Sequence, residues 1–412
     1  NGARYYVDHA HPEYSTPECS DALEVVRYDK AGERILARSM EAARRVLPAG
    51  QEVVVYKNNS DGKGNSYGCH ENYLVARDLP FGRLVGVLVP WFVSRQVFTG
   101  AGKVGAENGA EAVDYQISQR ADFFEEEVGL ETTLKRPIVN TRDEPHCDPV
   151  KYRRLHVIVG DANLSDTATF LKMGATAIVL SMIEAGALRT RDWSIARPVA
   201  EMHAVSHDTS LQHRVRMADG RTLTAVQVQW EMLAAATEFC GRSEHAERDP
   251  QTDDVLALWE DVLTGLEADP HGLADRIDWV AKLALMEGFR ARDGLDWSAP
   301  RLELIDVQYS DLRPERGLAA RLEQRGALRR MFDDAEVAQP IKRPQRRPAE
   351  FSVARDPRPK TCYSAKRIMV RYDGNRVAPG RRNTRKLEGR QSRAEDRDLE
   401  RPTHTRPCIR LV

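Results

Sequence analysis

Paired cysteines, membrane-length apolar runs, an apolar leader and a Walker A loop are all missing from this chain. The six cysteines (Cys19, Cys69, Cys147, Cys240, Cys362 and Cys408) lie far apart with no C-x-x-C pair. That spacing argues against a zinc site or a disulfide framework and fits reduced thiols in a cytoplasm. The longest apolar runs, Leu84 to Val93 and Ala175 to Ile183, fall short of the roughly 20 residues that span a bilayer and are expected as buried core. No apolar h-region follows Asn1-Gly2-Ala3-Arg4, so no secretory signal is read there and a cytoplasmic location without membrane partners is expected. Net charge is scarce as well, because 61 Lys and Arg against 62 Asp and Glu leave −1. That balance conceals a mildly acidic body and a basic last stretch, so whole-chain charge points to no partner.

What is present has the proportions of a soluble enzyme: 412 residues, 41% hydrophobic and 30% charged. Arg4 to Asp8 alternates like a strand, and His9 to Cys19 reads as a polar loop stiffened by Pro12 and Pro17. Asp21 to Leu47 has helical spacing, and Gln51 to Tyr56 is a short β-branched run. Lys57 to His70 is so rich in Asn, Asp, Gly and Ser that a surface loop is expected. Pro80 to Thr99 is predicted as a core helix, Tyr115 to Gln119 and Ile138 to Asn140 as strands, and Arg153 to Val159 as a strong strand. Thr167 to Glu184, two or three segments between Leu223 and Ile277, and Trp279 to Arg292 follow as helices. Strands first and helices later predict an α+β fold rather than a doubly wound sheet. Residues 1–340 read as one catalytic domain. Residues 341–412, Arg- and Pro-rich with neither a 2.0 nor a 3.6 period, are expected as a disordered basic tail or a slipped reading frame. Such a tail would bind nucleic acid only through charge, so no specific nucleic-acid partner is expected.

Several clusters carry chemistry. Alternation puts Arg4, Tyr6 and Asp8 on one strand face, where a cation, a phenol and a carboxylate suit a site that holds phosphate and activates a nucleophile. A solvated edge strand would also explain them. Pro12 and Pro17 stiffen the loop that carries Glu13 and Glu18 among oxygen-rich neighbours, as Mg²⁺ requires, and a solvated loop is the alternative. The glycines of Lys57 to Tyr73 let a backbone approach phosphate and present N–H donors. Arg142 suits a phosphate clamp or a salt bridge with Asp143 or Glu144. His156, between apolar residues, suits a site or a hydrogen-bonded core position.

Five blocks in order along the chain, YVDHAHPEYSTPEC, YKNNSDGKGNSYGCHENYLVAR, QRADFFEEEVGLETTLKRPIVNTRDEPH, KYRRLHVIVGDANLSDTATFLKMGATA and DRIDWVAKL, resemble the glutamine-synthetase-like Dop/PafA family. Its members are the deamidase/depupylase and the ligase of the prokaryotic ubiquitin-like protein Pup. The resemblance implies an antiparallel sheet cradle packed with helices, like that of glutamine synthetases and carboxylate-amine ligases. It implies ATP and Mg²⁺ as cofactors, Pup and pupylated proteins as partners, and a functional link to the bacterial proteasome. By motif, Asp8 matches the catalytic aspartate, Tyr6 and Glu13 the magnesium ligands, and Arg4 and Thr16 the ATP contacts. His70, Glu71, Arg142, His146 and His156 fall in blocks that line the nucleotide cradle. The spacing of Asp8 and His11-Pro12-Glu13, and the run Val128 to Arg136, resemble the deamidase/depupylase branch. That branch hydrolyses a γ-carboxamide, either the C-terminal Gln of Pup or the isopeptide bond to a target lysine. The ligase and an inactive Pup-binding fragment remain as alternatives. The family's opening Gly-Thr-Glu-x-Glu-Tyr-Gly strand, with a further metal glutamate, does not precede Asn1, and no Trp follows Trp297. The sheet is therefore expected to lack its first strand, and the chain as written to hold Mg²⁺ weakly and to be inactive or poorly folded.

Overall fold

The computed structural model describes residues 2–8, 11–144, 148–188, 193–242, 250–342 and 369–373. Its first half runs β1 (Arg4–Asp8), β2 (His11–Ser15), α1 (Ala22–Arg44), β3 (Cys69–Ala76), α2 (Phe81–Thr99), β4 (Lys103–Val104), β5 (Tyr115–Gln116), β6 (Phe124–Gly129), β7 (Arg136–Asn140), β8 (Tyr152–Val157) and α3 (Asp166–Glu184). The second half is mainly helical: α4 (Pro198–His207), β9 (Arg214–Arg216), β10 (Thr222–Thr224), α5 (Ala225–Cys240), α6 (Pro250–Ala268), α7 (Asp278–Asp293), α8 (Pro300–Tyr309), α9 (Leu318–Gln324), α10 (Asp334–Lys342) and β11 (Met369–Asp373). The α+β class expected from the order of strands and helices is what the chain adopts.

A five-stranded sheet in the order β1-β2-β11-β3-β8, antiparallel throughout, carries the architecture. Alternation gives it two unlike faces. Along β3, Cys69, Glu71, Tyr73 and Val75 are buried while His70, Asn72, Leu74 and Ala76 are half-buried. The buried face meets the helices. Asp21 caps α1 by accepting the Glu24 N–H, and Gly32 lets that helix approach the sheet, because a Cβ there would lie 2.4 Å from the Tyr14 ring. Ser165 caps α3 in the same way, and α3 is buried along its length. By length and composition Asp166–Glu184 could cross a membrane, but it is wholly buried, as a core helix is. Beside it, Trp91 of α2 meets Trp259 of α6 edge-on at 5.3 Å.

Three expectations are corrected. His9 to Cys19 is not simply a loop, since His11–Ser15 pairs with β1. Pro12 is tolerated because β11 pairs only with Glu13 to Ser15, so no ladder bond is asked of residue 12 on that side. Second, Lys57, Asn58 and Asn59 are buried, and only the tip of the polar loop is exposed. Polarity misled there because Lys57 and Asn59 find partners inside the fold: Lys57 Nζ lies 2.8 Å from Asp29 Oδ2 and 2.6 Å from Glu33 Oε1, and Asn59 Nδ2 donates to the Tyr67 carbonyl at 3.0 Å. Third, the basic tail contributes β11, a five-residue run too short to register as a sustained period; residues 343–368 and 374–412 lie outside the described ones. Among the described residues the β-branched run Gln51 to Tyr56 belongs to no named strand, and Tyr56 forms an isolated bridge with Asp311. Among the described residues Cys19, Cys69 and Cys240 are buried.

The Lys57 cluster gives a pH prediction. Burial pushes the Asp29 carboxyl up to about 6, against the pull of the Lys57 ammonium. A carboxyl whose folded value lies above its unfolded value holds its proton more tightly in the fold, so its contribution is full below about pH 4 and lost as pH rises through about 6. Denaturant titrations across that window should show wild type losing stability relative to Asp29→Asn; parallel curves would contradict the assignment.

Candidate active site

Antiparallel register sets side chains of neighbouring strands next to one another on the same face. Arg4 stands opposite Ser15, Tyr6 opposite Glu13, and Asp8 opposite His11. Position 371 of β11 stands opposite both Ser15 and His70, which links the two halves of the sheet in register. Asn72 stands opposite His156, and Leu74 opposite Arg154. The face turned from the helices thus carries Arg4, Tyr6, Asp8, His11, Glu13, His70, Asn72, Arg154 and His156.

Contacts knit this face together. The Tyr6 hydroxyl donates to Glu13 Oε1, and Glu13 is fully buried beneath it. His11 meets the Tyr67 ring edge-on at 5.0 Å, and His70 meets His156 at 4.9 Å. His156 Nδ1 is 2.9 Å from Asn72 Oδ1. An amide oxygen only accepts, so Nδ1 carries the hydrogen. Arg154 reaches Asn72 Oδ1 at 3.1 Å and Glu144 Oε2 at 3.0 Å. Asn72 and Arg154 were not singled out in the sequence, although Asn72 lies two residues from His70 and period-2 spacing alone places it on the same face.

Other candidates fall elsewhere. Glu71 points to the opposite face, where Arg95 Nη1 meets its Oε2 at 3.0 Å; it is a core ion pair, not part of the cradle. Thr16 is fully buried just past β2, and Glu18 is exposed. Arg142 is exposed on the segment after β7, where its N–H donates to Asn140 Oδ1 at 2.9 Å. Among the described residues its guanidinium makes no hydrogen bond, and the adjacent carboxylates pair with other cations, Asp143 with Arg77 and Glu144 with Arg154. His146 lies outside the described residues.

The glycine-rich loop also differs from expectation. Its amides are already engaged. The Gly62 N–H donates to Ser60 Oγ at 3.0 Å, those of Lys63 and Asn65 to Asp61 Oδ1 at 2.8 and 3.1 Å, and that of Gly64 to Glu107 Oε1 at 2.9 Å. Gly62 and Gly64 have φ of +67° and +88°, so these glycines serve the turn itself.

Mg²⁺ fits this face in one mode. Tyr6 and Glu13 converge oxygen on oxygen, but among the described residues no group of three or more His, Cys, Asp or Glu is placed to hold a metal. One carboxylate and a phenol suit a magnesium ion whose remaining ligands are phosphates and water. Calorimetric titration with Mg²⁺ alone should therefore show no binding below the millimolar range, and tight uptake without nucleotide would contradict this reading. A separate cleft of about 840 Å³ on the helical side, lined in part by Tyr115, His207, Trp279, Arg290 and Trp297, contains none of the face residues.

The chain matches the family model described as Pup-ligase protein over residues 1–351. A depupylase of Acidothermus cellulolyticus is 56% identical over 339 residues, 82% of this chain and 67% of that protein. A Pup–protein ligase of a Nocardioides species is 46% identical over 342 residues, 82% of this chain and 74% of that protein. The structure of the Pup ligase PafA in complex with ADP superposes with a TM-score of 0.74 at 38% identity, covering 82% of this chain and 74% of that one. Matches of this length and identity leave one assignment: the chain belongs to the Pup-ligase protein family, a family of enzymes.

Proposed function

We propose that this chain is a Pup deamidase/depupylase that works with ATP and Mg²⁺ on the open face of its sheet. The observation that carries the reading is the register of β1 on β2, which sets Asp8 one alternation from the Tyr6–Glu13 pair. Identity supports the deamidase branch over the ligase, at 56% against 46% over similar lengths. An ADP-bound relative supports a nucleotide on this face.

The chemistry asked of the residues is hydrolysis of a γ-carboxamide. Asp8 acts either as the nucleophile, forming an acyl anhydride that water then hydrolyses, or as the base that takes a proton from the attacking water. In both routes the C–N bond breaks, ammonia or the lysine amine departs with a proton that water supplies overall, and the water oxygen ends on the new carboxylate. Arg4 and Arg154 place positive charge at the two sides of the face and would hold phosphate. His156 is oriented by Asn72 through Nδ1. Magnesium held with the nucleotide by Tyr6 and Glu13 would supply Lewis acidity that draws charge off a developing oxyanion. The setting proposed is the bacterial cytoplasm, upstream of the proteasome.

The second reading is Pup ligation, favoured by the fold match to PafA. Incubation with Pup ending in Gln at millimolar Mg²⁺ and ATP separates the two. Deamidation leaves Pup heavier by the difference between Gln and Glu, which is the expected result. Pup joined to lysines of a test protein, without that mass change, would replace the deamidase with the ligase.

A further inference from the structure

Glu107 lies where the glycine-rich loop meets the turn after β4. Its carboxylate accepts from the Ser60 hydroxyl, the Lys103 ammonium and, at 2.9 Å, the Gly64 N–H. Its own N–H donates to Asp122 Oδ2 at 2.8 Å. Asp122 in turn accepts from Gln116 Nε2 and His207 Nε2, each at 2.7 Å. Glu107 therefore stands on a braced scaffold, not on a swinging arm.

The root of the loop is closed as firmly. Asn59 is fully buried; its N–H donates to Gln119 Oε1 at 2.7 Å, its Nδ2 to the Tyr67 carbonyl at 3.0 Å, and its Oδ1 accepts the Ala162 N–H at 2.7 Å. The Tyr67 N–H returns to the Asn59 carbonyl at 2.9 Å. Tyr67 then lies edge-on against His11, the residue opposite Asp8 in the ladder. The position of the loop is thus handed to the neighbour of the proposed catalytic carboxylate.

We infer that Glu107 is a positioning residue for the nucleotide cradle. It pins the glycine-rich loop so that Tyr67 stays against His11 and the loop forms one wall of the site. This rests on the nucleotide reading above. The opposite role, an internal anion competing with phosphate for the same donors, predicts tighter nucleotide binding when the carboxylate is removed. The bracing through Asp122 favours the clamp.

The test is calorimetric titration of Mg-ATP into wild type, Glu107→Ala and Glu107→Gln. The alanine variant loses every acceptor and should bind about tenfold more weakly. The glutamine variant keeps one acceptor for the Gly64 N–H and should fall within about threefold of wild type, a rescue that a merely destabilised fold would not produce. With Pup substrate, the loss should appear in the KM for ATP and not in kcat. Unchanged or tighter binding by Glu107→Ala overturns the clamp while leaving the nucleotide reading intact. Absence of Mg-ATP binding in wild type defeats the nucleotide reading itself.

Discussion

Asp8→Asn is expected to lower the turnover of Pup deamidation by about a thousandfold or more, with Mg-ATP affinity within about threefold of wild type. The reason is the division of labour along β1. Asp8 stands at the end of the ladder opposite His11, whereas the phenol and carboxylate that suit a metal are one alternation away, at Tyr6 and Glu13. Asparagine keeps the shape but can neither attack a carbonyl nor accept a proton from water. Glu13→Gln should show the converse pattern, with Mg-ATP binding weakened by about tenfold or more. Single-turnover rates and calorimetry on the two variants check this split. Equal losses of affinity in both would merge the roles assigned to them.

A second large effect is expected in the core. Arg95→Met should destabilise the fold by about 3–5 kcal/mol, because it leaves the Glu71 carboxylate buried without its cation. Both side chains are within 1% of complete burial. Arg95 makes a two-pronged contact with Glu71 and also reaches Thr176 Oγ1 at 2.8 Å, while the Tyr73 hydroxyl donates to Glu71 at 2.7 Å. Removing both charges in Glu71→Gln/Arg95→Met should cost much less than the single substitution, since no uncompensated charge stays in the core. Denaturant midpoints of the two variants decide it, and a single substitution costing under about 1 kcal/mol would show that water reaches the pair.

Period and composition revealed most of the helical half. The spacing in Asp21 to Leu47, Thr167 to Glu184 and Trp279 to Arg292 corresponds to α1, α3 and α7 within a few residues. Helices with one buried stripe or an all-apolar core position announce themselves locally. The sheet was legible only in part, because strand pairing is non-local. Arg4 to Asp8 showed its alternation, and the shared face of Arg4, Tyr6 and Asp8 followed from it. That His11–Ser15 would be the adjacent strand was hidden by Pro12 and Pro17, which suggest a loop until one knows that Tyr14 reaches the core against Gly32. His70 and Glu71 were adjacent candidates in the sequence, and strand alternation sent them to opposite faces, one to the site and one to Arg95. The polar loop after Tyr56 showed the limit of composition as a guide. Lys57 and Asn59 are polar and buried because α1, Gln119 and Ala162 supply their partners, and none of these is close in sequence.

The account turns on where a nucleotide binds, and a crystal structure of the protein with ADP and Mg²⁺ tests it most directly. The diphosphate should lie over the sheet face with the metal bridging it to Glu13 and Tyr6, and with Asp8 within reach of a carboxamide placed beside it. Nucleotide found elsewhere, in the cleft beside Trp279 and Trp297 for example, with the Tyr6–Glu13 hydrogen bond unchanged, would contradict it.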